Sequence, residues 1–240
     1  GFEIGITPVD LDERPKRGET PRSYVSRLAR EKASAVAAAQ PTVVVLGADT
    51  TVVDLSPAML ALDRQVAAER GFRINIVQAS MDNLAALPDA HFDLVVQPVS
   101  TCYVPSLAPV YREVARVTAP GGLYISQHKQ PGNLQASLRA SPLGYALLEP
   151  YYRSGPLPPV PSGSALRESG TLEFLHRWDE LLGGLCRAGF VIEDTFEPKH
   201  GDANAAPGSF GHRCWFVPPY IAMKARRTHQ PVPTPKVLLA

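Results

Sequence analysis

The sequence predicts an α/β fold: a mostly parallel sheet flanked by helices, with antiparallel closing strands at the C-terminus. Three observations predict it. Short apolar runs alternate with helical patterns from Thr42 to Gln127, as βα units do in a parallel sheet. Two helix starts repeat one device, a hydroxyl residue followed by proline, at Thr20-Pro21 and Ser56-Pro57. The hydroxyl caps a free N–H and the proline pre-sets the first turn. After Pro142 the alternation gives way to one helix and two strands.

Phe2–Thr7 alternates loosely and reads as a strand. Asp10 to Thr20 is charged and turn-rich. From Tyr24 to Gln40 the residues Val25, Leu28, Ala29, Ala33 and Val36 share one helical stripe. Thr42–Leu46 is β-branched and wholly apolar, hence a buried strand. Thr51–Asp54 is a second extended run, and Ser56-Pro57 opens a helix reaching about Arg70. Ile74–Gln78 and Phe92–Pro98 read as strands. Leu107–Val117 reads as a helix stopped by Pro120-Gly121-Gly122, and Leu123–Gln127 as the next strand. Leu172–Ala188 then reads as a helix, with Phe190–Phe196 and Trp215–Lys224 as an antiparallel pair. Gly155 to Pro161 is proline-rich, either a loop or a PxxP ligand. The tail over 228–240 is expected to be disordered and Pro-rich.

Composition narrows the function classes. Of 240 residues, 45% are hydrophobic and 20% charged, which suits a packed core. A formal net charge of +1 favours neither nucleic acid nor a membrane surface as partner. Cys102, Cys186 and Cys214 lack zinc-ligand or CxxC spacing, so reduced thiols and a cytoplasmic location are expected, with no metal. No apolar run reaches the roughly 18 residues of a membrane span, and no signal peptide opens the chain. Gly1 leads straight into a strand-like run, so the expectation is that the true N-terminus is absent.

The segment Thr51-Val52-Val53-Asp54-Leu55-Ser56-Pro57 ends a strand in an acid and starts a helix soon after. An acid at a strand's carboxyl end in such a sheet accepts hydrogen bonds from ribose hydroxyls; alternatively, Asp54 is a pre-helix cap. Val77-Gln78-Ala79-Ser80-Met81-Asp82-Asn83-Leu84, His91 to Pro98, Tyr111 to Val117 and Ala119 to Tyr124 follow in order. This series resembles the core of class I S-adenosylmethionine-dependent methyltransferases, a Rossmann-like fold. The resemblance implies that Asp54 with Leu55 binds the cofactor's ribose side. Ser80 and Met81 would border the adenine, and Gln97 would sit near the methyl group. Ser80 stands where the family commonly has Asp, and no GxGxG turn precedes Thr51. Arg167–Arg227 also resembles the end of such an enzyme, with His212 and Arg213 facing either the substrate or solvent. The acceptor is expected to be a small molecule, and the domain to span 51–227.

Val9 to Glu13, Gly18 to Pro21, Tyr24 to Ala33 and Gly47-Ala48-Asp49-Thr50 form a second constellation. It resembles the Maf family of nucleoside triphosphate pyrophosphatases over about Gly1–Val53, giving a fragment of residues 1–50. Lys32 falls on the apolar stripe of its helix and either projects a charge into a cleft or snorkels at a surface edge. Glu13 and Asp49 carry hard oxygen ligands suited to a divalent metal; Asp49 would act on the attacking water, as the family's acid does. The family's opening Ser/Arg turn and second-half Lys and Gln contacts have no counterpart here. Leu46 to Val53 reads acceptably in both families, so the two parts join at a shared stretch, either naturally or in assembly. Three readings follow: a methyltransferase, a nucleotide pyrophosphatase and a non-catalytic hybrid.

Overall fold

The computed structural model describes residues 16, 18, 19, 27, 31, 34, 50–160, 167 and 169–228. The expected strands Phe2–Thr7 and Thr42–Leu46, most of the Tyr24–Gln40 helix and the tail beyond 228 lie outside them, as do Glu13, Lys32 and Asp49. Arg27, Glu31 and Ser34 are helical, in keeping with the predicted helix. Arg27 donates to Glu31 one turn on (2.8 Å) and to Glu19 (2.6 Å). The chain divides into two compact units, one ending at Ser80 and the other beginning at Met81.

In the first unit, β1 (Thr50–Asp54) pairs in parallel with β2 (Ile74–Gln78), Val52 opposite Ile76 and Asp54 opposite Gln78. Both are β-branched runs, which fit a pleated surface. Between them lies α1 (Pro57–Glu69). The Ser56 hydroxyl accepts from the Met59 N–H at 3.3 Å, so the predicted cap forms. The helix ends where Gly71 turns to φ 70°. There the Gly71 N–H bonds Ala68 O (3.2 Å) and the Phe72 N–H bonds Ala67 O (2.8 Å), the Schellman closure that a left-handed glycine permits.

The second unit holds β3 (Phe92–Gln97), a 3-10 turn (Thr101–Tyr103), α2 (Leu107–Val117), β4 (Thr118–Lys129) and α3 (Pro131–Gln135). A π-turn (Asp179–Gly183) running into α4 (Gly184–Arg187), β5 (Phe190–Phe196), α5 (Phe210–Phe216) and β6 (Tyr220–Arg227) complete it. Its sheet has the order β3-β4-β6-β5; β3 and β4 are parallel, and β6 runs antiparallel to both its neighbours. The α/β class and the antiparallel closing strands are as expected. Among the described residues, however, the strands hydrogen-bond as two sheets, β1-β2 and this one.

Helix α2 buries Leu107, Val110, Tyr111, Val114, Ala115 and Val117, the one-sided spacing of a core-facing helix. Of these, Leu107, Val110, Tyr111, Val114 and Ala115 meet Tyr124, Leu181, Leu185, Phe190, Met223 and Ala225 in one core. Each Val, Leu, Phe or Met among them contributes roughly 1.5–3 kcal/mol on burial. Tyr111 donates to the Leu181 carbonyl in the π-turn (3.2 Å), and its ring lies where a Cβ on Gly184 would stand, at 3.0 Å. On the far edge of α2, Glu113 accepts from the Leu84 N–H (2.8 Å), and Arg116 donates to the carbonyls of Leu84 (2.7 Å) and Leu87 (2.9 Å). The Arg112-Glu113-Val114-Ala115-Arg116 stretch is thus a clamp on the loop that leads into β3.

Three boundaries differ from expectation. Pro120-Gly121-Gly122 does not separate a helix from a strand; it is an irregularity within β4, whose register against β3 jumps from Phe92–Thr118 to Leu94–Leu123. Residues 172–177 are not helical. The Phe174 N–H bonds Cys102 O (2.7 Å), Glu173 O accepts from the Leu157 N–H (2.7 Å) and the His176 imidazole bonds Thr101 O (2.9 Å). These distant partners outcompete the local helical pattern. Trp215 and Phe216 end α5 rather than opening a strand, because Ser209 caps that helix at His212 N (3.3 Å) and Pro218-Pro219 breaks it.

Candidate functional site

In the first unit, the carboxyl end of β1 carries Asp54. Its Oδ1 accepts from the Ser56 N–H at 2.7 Å, an Asx-type turn that fixes the carboxylate. Its other oxygen has no hydrogen-bond partner among the described residues. Leu55 follows, 66% exposed, with its carbonyl accepting from Gln78 Nε2 (3.3 Å). The Ala79 N–H bonds Asp54 O (3.1 Å), which ties the end of β1 to the segment carrying Ser80, itself half-buried. Asp54, Leu55 and Ser80 are thus on one end of one parallel pair, the end at which such sheets take ligands.

In the second unit, Met81 and Gln97 meet. Gln97 is the last residue of β3, and its Nε2 lies 3.3 Å from Met81 Sδ and 3.1 Å from Ser100 Oγ. The Tyr124 hydroxyl donates to Gln97 Oε1 at 2.5 Å. Tyr124 is fully buried, and burial pushes its hydroxyl well above the ordinary tyrosine range, so it stays a donor. Gln97 is therefore held at both ends of its amide.

Beneath it lies a polar chain that the sequence reading missed. His128 is fully buried, its Nδ1 at 2.8 Å from Thr101 Oγ1 and its Nε2 at 2.8 Å from Ser126 Oγ. Burial lowers its pKa to about 3, so both hydroxyls face a neutral ring. Glu173 is fully buried between Lys129 and Arg167, each donating to one carboxylate oxygen. One signal was present: β4 alternates buried Gly122, Tyr124, Ser126 and His128 with half-buried neighbours, a strand pattern with polar residues on its buried face. Such residues have partners by rule; which partners, the alternation does not say.

His212 and Arg213, expected to face either the substrate or solvent, sit on α5. His212 Nδ1 lies 2.8 Å from the Tyr145 hydroxyl. Arg213 is not on the surface: it is 1% exposed and donates to the carbonyls of Asn133 (2.6 Å), Ala136 (3.0 Å) and Ser137 (3.0 Å) at the end of α3. Among the described residues no group of three or more His, Cys, Asp or Glu gathers to hold a metal ion. None of their helices is long and apolar enough to cross a membrane.

Residues 33–126 match the profile of a family described as a methyltransferase domain. The chain is 31% identical over 164 residues to "Uncharacterized methyltransferase YbaJ" of Bacillus subtilis, an overlap of 67% of this chain and 64% of that protein. Over 55 residues it is 66% identical to a dTTP/UTP pyrophosphatase of Cereibacter sphaeroides, covering 21% of this chain and 28% of that one. The chain thus spans less than two thirds of either relative. An S-adenosylmethionine-dependent methyltransferase from Mesorhizobium loti shares its fold, with a TM-score of 0.59, 26% identity, and 75% of this chain and 82% of that one covered. Residues 33–126 are thus similar to a methyltransferase domain and the chain's fold to S-adenosylmethionine-dependent methyltransferases, alongside a short stretch similar to the dTTP/UTP pyrophosphatases.

Proposed function

We propose that residues 51–227 bind S-adenosylmethionine and transfer its methyl group to a small-molecule acceptor. The observation that carries this is Asp54, whose carboxylate is aimed by the Ser56 N–H and keeps one oxygen without a partner among the described residues. That oxygen suits the two hydroxyls of a ribose, and the exposed Leu55 beside it suits an apolar ring face. The cofactor supplies an electrophilic methyl group; the chain's part is to hold it and to orient the acceptor. Gln97, pinned by Tyr124, borders the methyl group, and Ser80 and Met81 flank the adenine. Transfer to a nucleophile needs mainly in-line positioning, so no dedicated base is assigned.

Binding is expected to be weak. The stretch before Thr51 holds Gly47 but no GxGxG, so the backbone approach to the cofactor's methionine portion is not encoded. Titration of S-adenosylmethionine by ligand-observed NMR should give a Kd above about 100 μM, near −5.5 kcal/mol. Asp54→Ala should abolish it. A micromolar Kd would show that the glycine turn is dispensable, and binding unchanged in Asp54→Ala would remove Asp54 from the site.

The identity with a pyrophosphatase over 55 residues favours a second reading, in which Glu13, Lys32 and Asp49 form half of a metal-dependent triphosphate site. Pyrophosphate release from dTTP or UTP with magnesium tests it.

A further inference from the structure

Arg213 is a buried cation with no anion paired to it among the described residues. It is 1% exposed, and burial draws its pKa below the ordinary arginine value. Its Nε and Nη2 donate to three backbone carbonyls at the end of α3. Its Nη1 is buried and has no hydrogen-bond partner among the described residues. None of the ion pairs recorded there includes it. Glu173, the buried carboxylate of the same unit, is taken by Lys129 and Arg167. Carbonyl dipoles compensate a guanidinium only in part, and an orphaned charged donor is costly. A structure that keeps such a group has a use for it.

The place of Arg213 says what use. Helix α5 runs through Pro218-Pro219 into β6, whose first residue Tyr220 pairs with Lys129, the last of β4. The Gln130 N–H closes onto Pro219 O (2.9 Å). Arg213 therefore belongs to the segments gathered at the carboxyl ends of β3 and β4, the end that carries Gln97. The Tyr145 ring lies against it, its centroid 5.8 Å from the guanidinium carbon. Tyr145 follows a tight turn in which Ser141 and Gly144 exchange backbone bonds (2.8 and 3.1 Å), and Gly144 is left-handed at φ 103°. Leu143 at the tip is 97% exposed and Leu147 beyond is 65% exposed. The Tyr145 hydroxyl is latched to His212 (2.8 Å). The backbone after the turn is tied to Ser137, whose N–H bonds Ala146 O (2.8 Å). The Tyr145 ring, itself half-buried, rests on His212 and Phe216, both at 5.7 Å. Its side chain carries one hydrogen-bonded latch, so a rotation of that side chain, with the backbone in place, is the local opening available.

We propose that Arg213 is the anchor for an oxyanion, carboxylate or phosphate, on the methyl acceptor, and that Tyr145 swings off the guanidinium to admit it. This rests on the methyl-transfer reading and narrows its acceptor to an anion. Nη1 supplies two N–H donors, and a carboxylate or phosphate satisfies them and the missing charge together.

The test uses the full chain without S-adenosylmethionine. Ligand-observed NMR compares succinate, benzoate and inorganic phosphate with succinamide and benzamide. At least one anion should bind about tenfold tighter than its neutral counterpart, the value of one charge-assisted hydrogen bond, and Arg213→Met should remove that preference. Tyr145→Phe, which cuts the latch and keeps the ring, should leave anion binding equal or stronger. Because Arg213→Met risks folding, butanedione modification of the wild-type chain is mapped by mass spectrometry: Arg213 should be modified slowly, and the bound anion should protect it. Equal binding of acids and amides, preference surviving in Arg213→Met, or an Arg213 that is never modified would each overturn the proposal. Competition between the anion and S-adenosylmethionine would also overturn it, since the site would then belong to the cofactor's own carboxylate. Anion binding in a chain that fails to bind the cofactor would sink the methyl-transfer reading and leave the anion site standing.

Discussion

His128 sits at the centre of the polar chain under Gln97, and its chemistry carries a pH signature. The folded protein holds it neutral, with a pKa lowered from 6.5 to about 3 by burial. The unfolded chain takes up a proton below about pH 6.5, so unfolding is linked to proton uptake and stability rises with pH. The contribution is complete above pH 6.5 and is lost as the pH falls toward 3. One such group gives a slope of up to about 1.4 kcal/mol per pH unit. His176, also lowered by burial, acts in the same direction. In urea titrations between pH 4 and 7, His128→Gln should have a shallower stability profile than the wild type; parallel profiles would mean that His128 is protonated in the folded state. Asp54 was legible as a residue, because a strand end, an acid and a cap lie within seven consecutive positions. His128 was not, because its partners Thr101 and Ser126 matter only once β4 lies beside the turn after β3.

At the scale of elements, the β3–β4 junction is a tight place to probe. A Cβ on Gly122 would stand 2.8 Å from Ala119 O, 2.9 Å from Thr118 Cγ2 and 3.1 Å from Asp93 O. Two of these are backbone oxygens within the register jump, so the strand has little room to yield. Gly122→Ala should destabilise the protein by about 1–3 kcal/mol, the range of overpacked sites, read as a lower urea midpoint. An unchanged midpoint would show that the irregularity relaxes freely. The sequence placed a break at Pro120-Gly121-Gly122 but could not tell a break from a bulge, since both use the same residues. Leu107–Val117 was read correctly because its apolar spacing is a local, repeating signal; six of its eleven residues are buried. Residues 172–177 were misread because Cys102 and Leu157, which hold them extended, lie far off in sequence.

For the whole molecule, the N-terminal identity covers only 28% of the pyrophosphatase's length. Charge stabilisation and positioning are nearly all that a phosphoryl-transfer site provides, and one lysine with two acids is too little to clamp a triphosphate. The chain should release no pyrophosphate from dTTP or UTP with magnesium or manganese; turnover lost on Asp49→Asn would make the N-terminal stretch the functional one. What the sequence by itself determined are the features written in neighbouring residues: the cap at Ser56, the β-branched runs of β1 and β2, the face of α2, and the two family resemblances carried by short ordered motifs. Tertiary structure alone decided why residues 172–177 are extended, why Arg213 is buried without a carboxylate among the described residues, how Glu173 is shared by two cations, and which hydroxyls hold His128. The division has one physical cause. Helix and strand periodicity come from backbone geometry over a few residues, whereas the environment of a buried charge depends on whatever distant segment the fold brings beside it.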